Sequence, residues 1–150
     1  MATAAAVLVV ALAVYFYFSM QNQKDIRTDV SARLSPEAYD VMYRKGTEPP
    51  FSSQLDKEYR KGTYVTADTG LPVYRSENKY DSGTGWPSFT KPIEGSIELL
   101  EDDSLFLGKR IEVVSKDTGA HLGHVFDDGP PPTGKRYCMN GVALRFIPDE

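Results

Sequence analysis

Cysteine is nearly absent from this chain of 150 residues, which holds one, Cys138. A single thiol cannot close an internal disulfide or build a multi-thiolate metal site, so Cys138 is either a buried, inert sulfur or a nucleophile. Histidine is almost as scarce. The two present, His121 and His124, both fall in Ala120-His121-Leu122-Gly123-His124-Val125-Phe126. Tryptophan occurs once, as Trp86. The net charge is −4 and no run of Lys or Arg stands out, which argues against nucleic acid as a partner. Charged side chains are missing altogether from Met1 to Gln23, where Ala4 to Phe18 forms an unbroken apolar run. A spanning helix needs about 20 largely apolar residues, and tyrosines at the end of the run suit a membrane interface. No basic side chain precedes the run, and the Ala-x-Ala at Ala11 to Ala13 lies inside it rather than after it, so a cleaved signal peptide fits less well. Residues 1–23 are therefore expected to form an N-terminal membrane anchor, with a signal-like segment as the alternative. Lys24, Arg27 and Arg33 follow it, which by the positive-inside tendency would leave the rest of the chain on the cytoplasmic side.

What remains has an ordinary globular composition, 41% hydrophobic and 25% charged, and a length that suits one domain. Residues 24–34 read as a polar tether and 35–150 as the domain. Ser35-Pro36-Glu37 is a helix start, with Ser as N-cap, Pro at the first position and an acid in the first turn. Gly46 would supply the left-handed cap at its end. Ser53 to Tyr59 is a candidate second helix. From Gly62 the pattern changes to short apolar runs cut by Gly, Pro, Asp and Asn. Strands are predicted over 63–65, 73–75, 97–100, 109–114, 122–126 and 142–147. The fold class is thus mainly β, an antiparallel β-sheet domain with one or two short N-terminal helices behind the apolar anchor helix. Thr66-Ala67-Asp68-Thr69-Gly70 and Ser115-Lys116-Asp117-Thr118-Gly119 repeat one form, hydroxyl-x-Asp-Thr-Gly, each between strands. Two similar turns would explain the echo, since Asp and Gly favour turns.

Chemistry gathers in three places. Arg136 stands two residues before Cys138, and a basic neighbour lowers a thiol's pKa towards the reactive thiolate. Trp86 lies in Gly85-Trp86-Pro87-Ser88-Phe89, either as a pocket wall or as a core anchor. Asp127 and Asp128 follow the histidines and could orient an imidazole, as a base needs a third group to hold it; Asp-Asp-Gly-Pro is also simple turn chemistry.

Together, Gly46-Thr47-Glu48-Pro49-Pro50-Phe51, Gly85-Trp86-Pro87-Ser88-Phe89, Ala120 to Pro130 and Arg136-Tyr137-Cys138-Met139-Asn140 resemble the methionine sulfoxide reductases of the B class, in that family's order, over roughly residues 35–148. The resemblance implies reduction of methionine-(R)-sulfoxide within oxidised proteins, a repair of the polar, chiral lesion that oxidation leaves. It makes Cys138 the nucleophile on the sulfoxide sulfur and His121 and His124 the source of the proton for the departing oxygen. Asn140 and Arg136 would set the hydrogen bonds and the thiolate. Trp86, with Phe126, Asp127 and Asp128, would bind the substrate, one of the two acids orienting a histidine. Cys138 would be left as a sulfenic acid.

Two departures from the family pattern follow. Thr84 stands where many members carry a resolving cysteine, so the sulfenic acid would be recycled by an external thiol, thioredoxin or another. Thr66, Thr69, Ser115 and Thr118 stand where many members bind zinc through cysteine pairs. Hydroxyls do not supply a structural zinc site, so no metal or other cofactor is expected and hydrogen-bonded turns would take its place. The expected partners are oxidised proteins, the thiol reductant and a membrane, with the chain itself a monomer. Two other classes stay open: a membrane-anchored module that binds oxidised methionine without turning it over, and a peroxide sensor built on Cys138.

Overall fold

A computed structural model describes the backbone of residues 2–104 and 108–150 and the side chains of 8–21, 29–30, 33–102 and 108–150. It comprises two units, Met1–Arg33 and Leu34–Glu150.

The first unit is one helix, α1 (Ala2–Arg33). No glycine or proline occurs within it, so nothing breaks it where a tether was expected at 24–34. The expected membrane anchor is not found: among the described residues, no helix is long and apolar enough to cross a membrane. The side chains of Ala4 to Val7, the start of the predicted run, lie outside the described residues. With the span goes the orientation argued from Lys24, Arg27 and Arg33.

In the second unit Ser35 caps α2 (Pro36–Arg44), its Oγ accepting from the Ala38 N–H at 3.1 Å. The left-handed residue at its end is Lys45 (φ 58°, ψ 37°), not Gly46. That conformation costs a non-glycine residue about 1 kcal/mol. It carries the Lys45 ammonium to Glu112, 2.7 Å away. The predicted second helix shrinks to a 3-10 turn at Gln54–Lys57.

Nine strands follow among the described residues. β1 (Gly62–Thr66), β2 (Pro72–Arg75) and β9 (Leu144–Pro148) form a sheet in the order β2-β1-β9. The larger sheet holds β3 (Lys79–Tyr80), β4 (Ser88–Phe89), β5 (Ile97–Ser104), β6 (Gly108–Ser115), β7 (His121–Phe126) and β8 (Arg136–Met139), in the order β3-β4-β8-β7-β6-β5. Every pairing is antiparallel. The core lies between the sheets. Tyr64 and Tyr74 of the small sheet meet Phe89 of the large one, with Tyr74 stacked on Phe89 at 4.2 Å between centroids. Leu122, Val113 and Met139 complete it without solvent exposure. Strand alternation then decides the site: Met139 points into this core, so Cys138 must point away from it.

Candidate active site

The larger sheet brings the scarce residues together. Cys138 pairs with Ser88 on β4 and with His124 on β7, and His124 pairs with Glu112 on β6. Ser88, Cys138, His124 and Glu112 therefore form one row across four strands. Residues directly opposite in such a ladder hold their Cβ atoms about 4.5–5.5 Å apart, close enough to react as a set. Arg136 and Phe126 make the neighbouring pair on the same face, the guanidinium carbon 4.5 Å from the ring centroid.

Histidines three apart in a regular strand would face opposite sides. Here the register slips, Val113 facing Gly123 and Val114 facing His121, so β7 carries one extra residue. This bulge turns His121 towards His124, with ring centroids 5.2 Å apart, edge to face. Gly123 makes the close approach possible, since a Cβ there would lie 2.1 Å from the Cys138 carbonyl oxygen.

Each imidazole is held by a carboxylate, and neither is one of those expected. His121 Nδ1 lies 2.8 Å from Glu112, whose other oxygen holds Lys45. His124 Nε2 lies 2.9 Å from Asp102 Oδ2, the oxygen that also accepts from Arg110 at 2.8 Å. The expectation that Asp127 or Asp128 orients a histidine is thus corrected. Asp127 pairs with Lys135, and Asp128 accepts two bonds from Arg136, at 2.9 and 2.8 Å. Both acids sit on the exposed turn after β7, facing the residues that lead into β8.

These contacts set the charges. Burial pushes His121 below its ordinary pKa, outweighing the pull of Glu112, so at neutral pH it is an uncharged imidazole donating Nδ1–H. For Glu112 burial works against ionisation, but Lys45 and His121 overcome it and hold the carboxyl below its usual range. The His124 bond, helped by Arg110, lowers Asp102 as well. Burial pushes the Cys138 thiol above its ordinary value, against Arg136, Thr84 and Ser88, which all favour the thiolate. Arg136 alone therefore does not leave the resting thiol activated, as its place in the sequence had suggested.

A cavity of about 160 Å³ opens over this row, walled by Trp86 and Phe126 and reached by Arg110, His124 and Cys138. His121 lies behind it, 3% exposed, so of the two imidazoles only His124 borders the space beside the thiol. Trp86 is held by its indole N–H, which donates to the Glu48 carbonyl at 3.1 Å. The loop before it turns at Gly85 (φ 88°), where a side chain would strike the Phe51 backbone. Glu48 is 2% exposed and does three jobs. Its carbonyl holds Trp86, its carboxylate accepts the Gly141 and Val142 N–H groups at 2.6 and 2.9 Å, and its own N–H donates to Asn140 Oδ1 at 3.0 Å. Asn140 donates in turn to the Leu122 carbonyl at 3.1 Å, so both ends of its amide tie β7 to the 46–51 segment. Glu48, Asp102, Arg110 and Glu112 were not singled out from the sequence. For Glu112 and Arg110 a signal existed, since they alternate with Ile111 and Val113 and so share the face of whatever β6 pairs with.

The two echoed turns form a second polar cluster. Thr69 donates to Asp117 at 2.7 Å and Thr118 donates to Asp68 at 2.9 Å, so each turn's threonine serves the other turn's aspartate. Ser115 also binds Asp117, Tyr43 binds Asp68, and Thr66 contacts Thr69 at 3.1 Å. These hydroxyls are engaged with each other and with carboxylates, and they do not fit a thiolate-type zinc site. Among the described residues, no group of three or more His, Cys, Asp or Glu could hold a metal ion.

Residues 34–148 match the SelR domain. The chain is 48% identical over 122 residues to the peptide methionine sulfoxide reductase MsrB of Methanosarcina mazei, covering 81% of this chain and 87% of that protein. It is 50% identical over 117 residues to the MsrB of Pseudomonas putida, covering 78% and 88%. It also matches the MsrA/MsrB protein of Vibrio cholerae, 47% identical over 121 residues, 81% of this chain but 32% of that larger one. With its one thiol facing a carboxylate-held histidine pair across an antiparallel sheet, the chain belongs to the MsrB family of methionine-(R)-sulfoxide reductases, which are oxidoreductases.

Proposed function

We propose that the chain reduces methionine-(R)-sulfoxide in oxidised proteins by direct attack of Cys138 on the sulfoxide sulfur. The observation that carries the mechanism is the cross-strand pair of Cys138 and His124, both bordering one cavity walled by Trp86 and Phe126. The methyl and methylene carbons on the sulfoxide sulfur suit those aromatic walls, while the oxygen, the polar end, turns to His124. Cys138 Sγ forms a bond to the sulfoxide sulfur as His124 delivers a proton to the oxygen. The oxygen passes to Sγ, the methionine thioether leaves, and Cys138 is left as a sulfenic acid. Two electrons have then moved from the thiol sulfur to the substrate. Asp102 holds His124 by Nε2, which leaves Nδ1 as the nitrogen free to carry and release the proton. His121 supports the neighbouring ring as a neutral, buried spacer. Arg136, Thr84 and Ser88 stabilise the thiolate as it forms, opposing the burial that keeps the resting thiol protonated.

Recycling needs an external thiol, since the chain has no second cysteine. Thioredoxin or a small thiol serves chemically. The reciprocal threonine–aspartate turns take over the structural task of a metal, so the fold is proposed to need none.

The test is turnover of a peptide carrying resolved R- and S-methionine sulfoxide, with dithiothreitol as reductant. Loss of the R epimer alone is expected. Survival of both epimers, with the protein folded and Cys138 still titratable, would refute the proposal in favour of a binding module.

A further inference from the structure

Cys138 has a second flank. A polar cleft of about 380 Å³ is lined by Tyr80, Asp81, Ser82, Thr84, Asp128, Pro130 and Arg136 among others, and it shares no lining residue with the cavity on the Trp86 side. Yet Arg136 stands two residues before Cys138 on the same face of β8, and Ser82 bonds at 2.8 Å to Ser88, the residue that faces Cys138 across the strands, so the cleft runs along the flank of the same thiol. Tyr80, one of its lining residues, carries a hydroxyl that is buried and has no hydrogen-bond partner among the described residues. Buried hydroxyls are nearly always satisfied, so an orphan in a polar cleft beside a reactive sulfur points to a group that arrives from outside.

We propose that this cleft is the entry port for the small thiol that reduces the Cys138 sulfenic acid, opposite in direction to the sulfoxide pocket. The inference rests on the sulfenic acid of the proposed function. Oxygen transferred from the substrate leaves the new S–O bond of Cys138 pointing into the cavity beside Trp86 and His124. Displacement at sulfur runs with the attacking and departing atoms in line, so the incoming thiolate must reach Sγ from the far side. The polar cleft is where the structure leaves room for it. The lining holds one base, Arg136, paired with Asp128, and a second acid, Asp81, so the incoming thiolate gains little attraction there and the cleft serves as the open path. The thiolate forms an S–S bond to Sγ, the S–O bond breaks, and hydroxide leaves as water once protonated. A second thiol then attacks the reductant's sulfur in the mixed disulfide, releasing the Cys138 thiolate and an oxidised disulfide. Two thiols supply the two electrons.

The lining suits a small polar thiol more than an apolar protein surface, and dithiothreitol is the probe. In Pro130→Trp an indole fills the cleft without touching the sulfoxide pocket. The single-turnover burst of sulfoxide reduction, measured without reductant, is expected to stay as in the unchanged chain, while reduction of the sulfenic acid by dithiothreitol slows about tenfold or more. Asp81→Lys reverses a charge at the exposed rim, where Asp81 is now paired with Lys57 at 3.1 Å. It is expected to speed the same step at low salt, an effect that fades as salt screens it. A normal burst with unaltered recycling in both variants overturns the port alone. A missing burst in the unchanged chain overturns the parent mechanism, and the two failures are read from different phases of one trace.

Discussion

Two polar clusters in this domain are built from similar parts and end in opposite conditions. At the paired turns, Thr69 and Thr118 each serve the other turn's aspartate, while Tyr43 and Ser115 add further bonds to the same carboxylates. Around Cys138 the groups are just as dense, but Tyr80 O–H and Arg110 Nε–H are buried without a partner among the described residues. The thiol itself is kept protonated by burial against three groups that favour the anion. A closed network holds a fold; an open one waits for a ligand. The difference separates structure from chemistry more sharply than residue type does, because threonine, aspartate and tyrosine serve in both.

The strongest way to break the comparison is to remove the open cluster's centre. Cys138→Ser is expected to abolish sulfoxide reduction, by roughly a thousandfold or more, because a hydroxyl is a far poorer nucleophile at neutral pH. Thermal stability should stay close to that of the unchanged chain. Measurable turnover in this variant would remove Cys138 from the mechanism.

His124→Gln comes next. Loss of a positioned proton donor costs about a hundredfold or more in the chemical step. His121→Gln should cost much less if His121 acts through its neighbour, and the burst rates of the two variants compare them directly. Equal losses would make the two rings one catalytic unit.

Why these partners escaped a reading along the chain is physical. The echo of hydroxyl-x-Asp-Thr-Gly was visible, and so was the antiparallel character of the domain, because turn residues recur at strand spacing. The Cys138, His121 and His124 constellation was visible because each type is scarce. The carboxylates that hold the rings were not, since Glu112 and Asp102 reach them through cross-strand register, which local sequence does not encode. Asp127 and Asp128 attracted notice by adjacency alone, but the chain turns immediately after Phe126 and delivers them to Lys135 and Arg136. Strands β3 and β4 have two residues each, too few to show a period. The cap at Lys45 defied local rules, and the partner it reaches, Glu112, is distant in the chain and so not visible to a local pattern.

The closed cluster offers the converse test, with a smaller effect. Asp68→Ala removes the bonds that Asp68 accepts from the Tyr43 and Thr118 hydroxyls and the Thr69 N–H, in a site where Asp68 is 5% exposed. A loss of about 2–3 kcal/mol in unfolding free energy is expected from the loss of these bonds. Burst kinetics measured well below the new melting temperature should be unchanged. A fall in the burst rate without a fall in stability would show that the turns reach the active site and that the two clusters are one.

The smallest effect asks how far Arg136 tilts the resting thiol. Burial dominates and raises the pKa of Cys138; Arg136 is the first of the groups that oppose it. Removing the guanidinium therefore leaves burial less opposed and moves the thiol further up. In Arg136→Met, the midpoint for alkylation by iodoacetamide should rise above that of the unchanged chain, which itself lies above the ordinary thiol value of about 8.5. The sign also fixes a stability difference. A group whose pKa is raised by folding stabilises the folded state below its unfolded value, and that contribution is lost as pH rises through the folded value. The unchanged chain should therefore lose stability relative to Cys138→Ser as pH climbs through that window, and more of it in the Arg136→Met background. A midpoint that instead moves down in Arg136→Met would remove Arg136 from the groups that favour the thiolate, since the Asp128 carboxylate it leaves unpaired could only push the thiol further up.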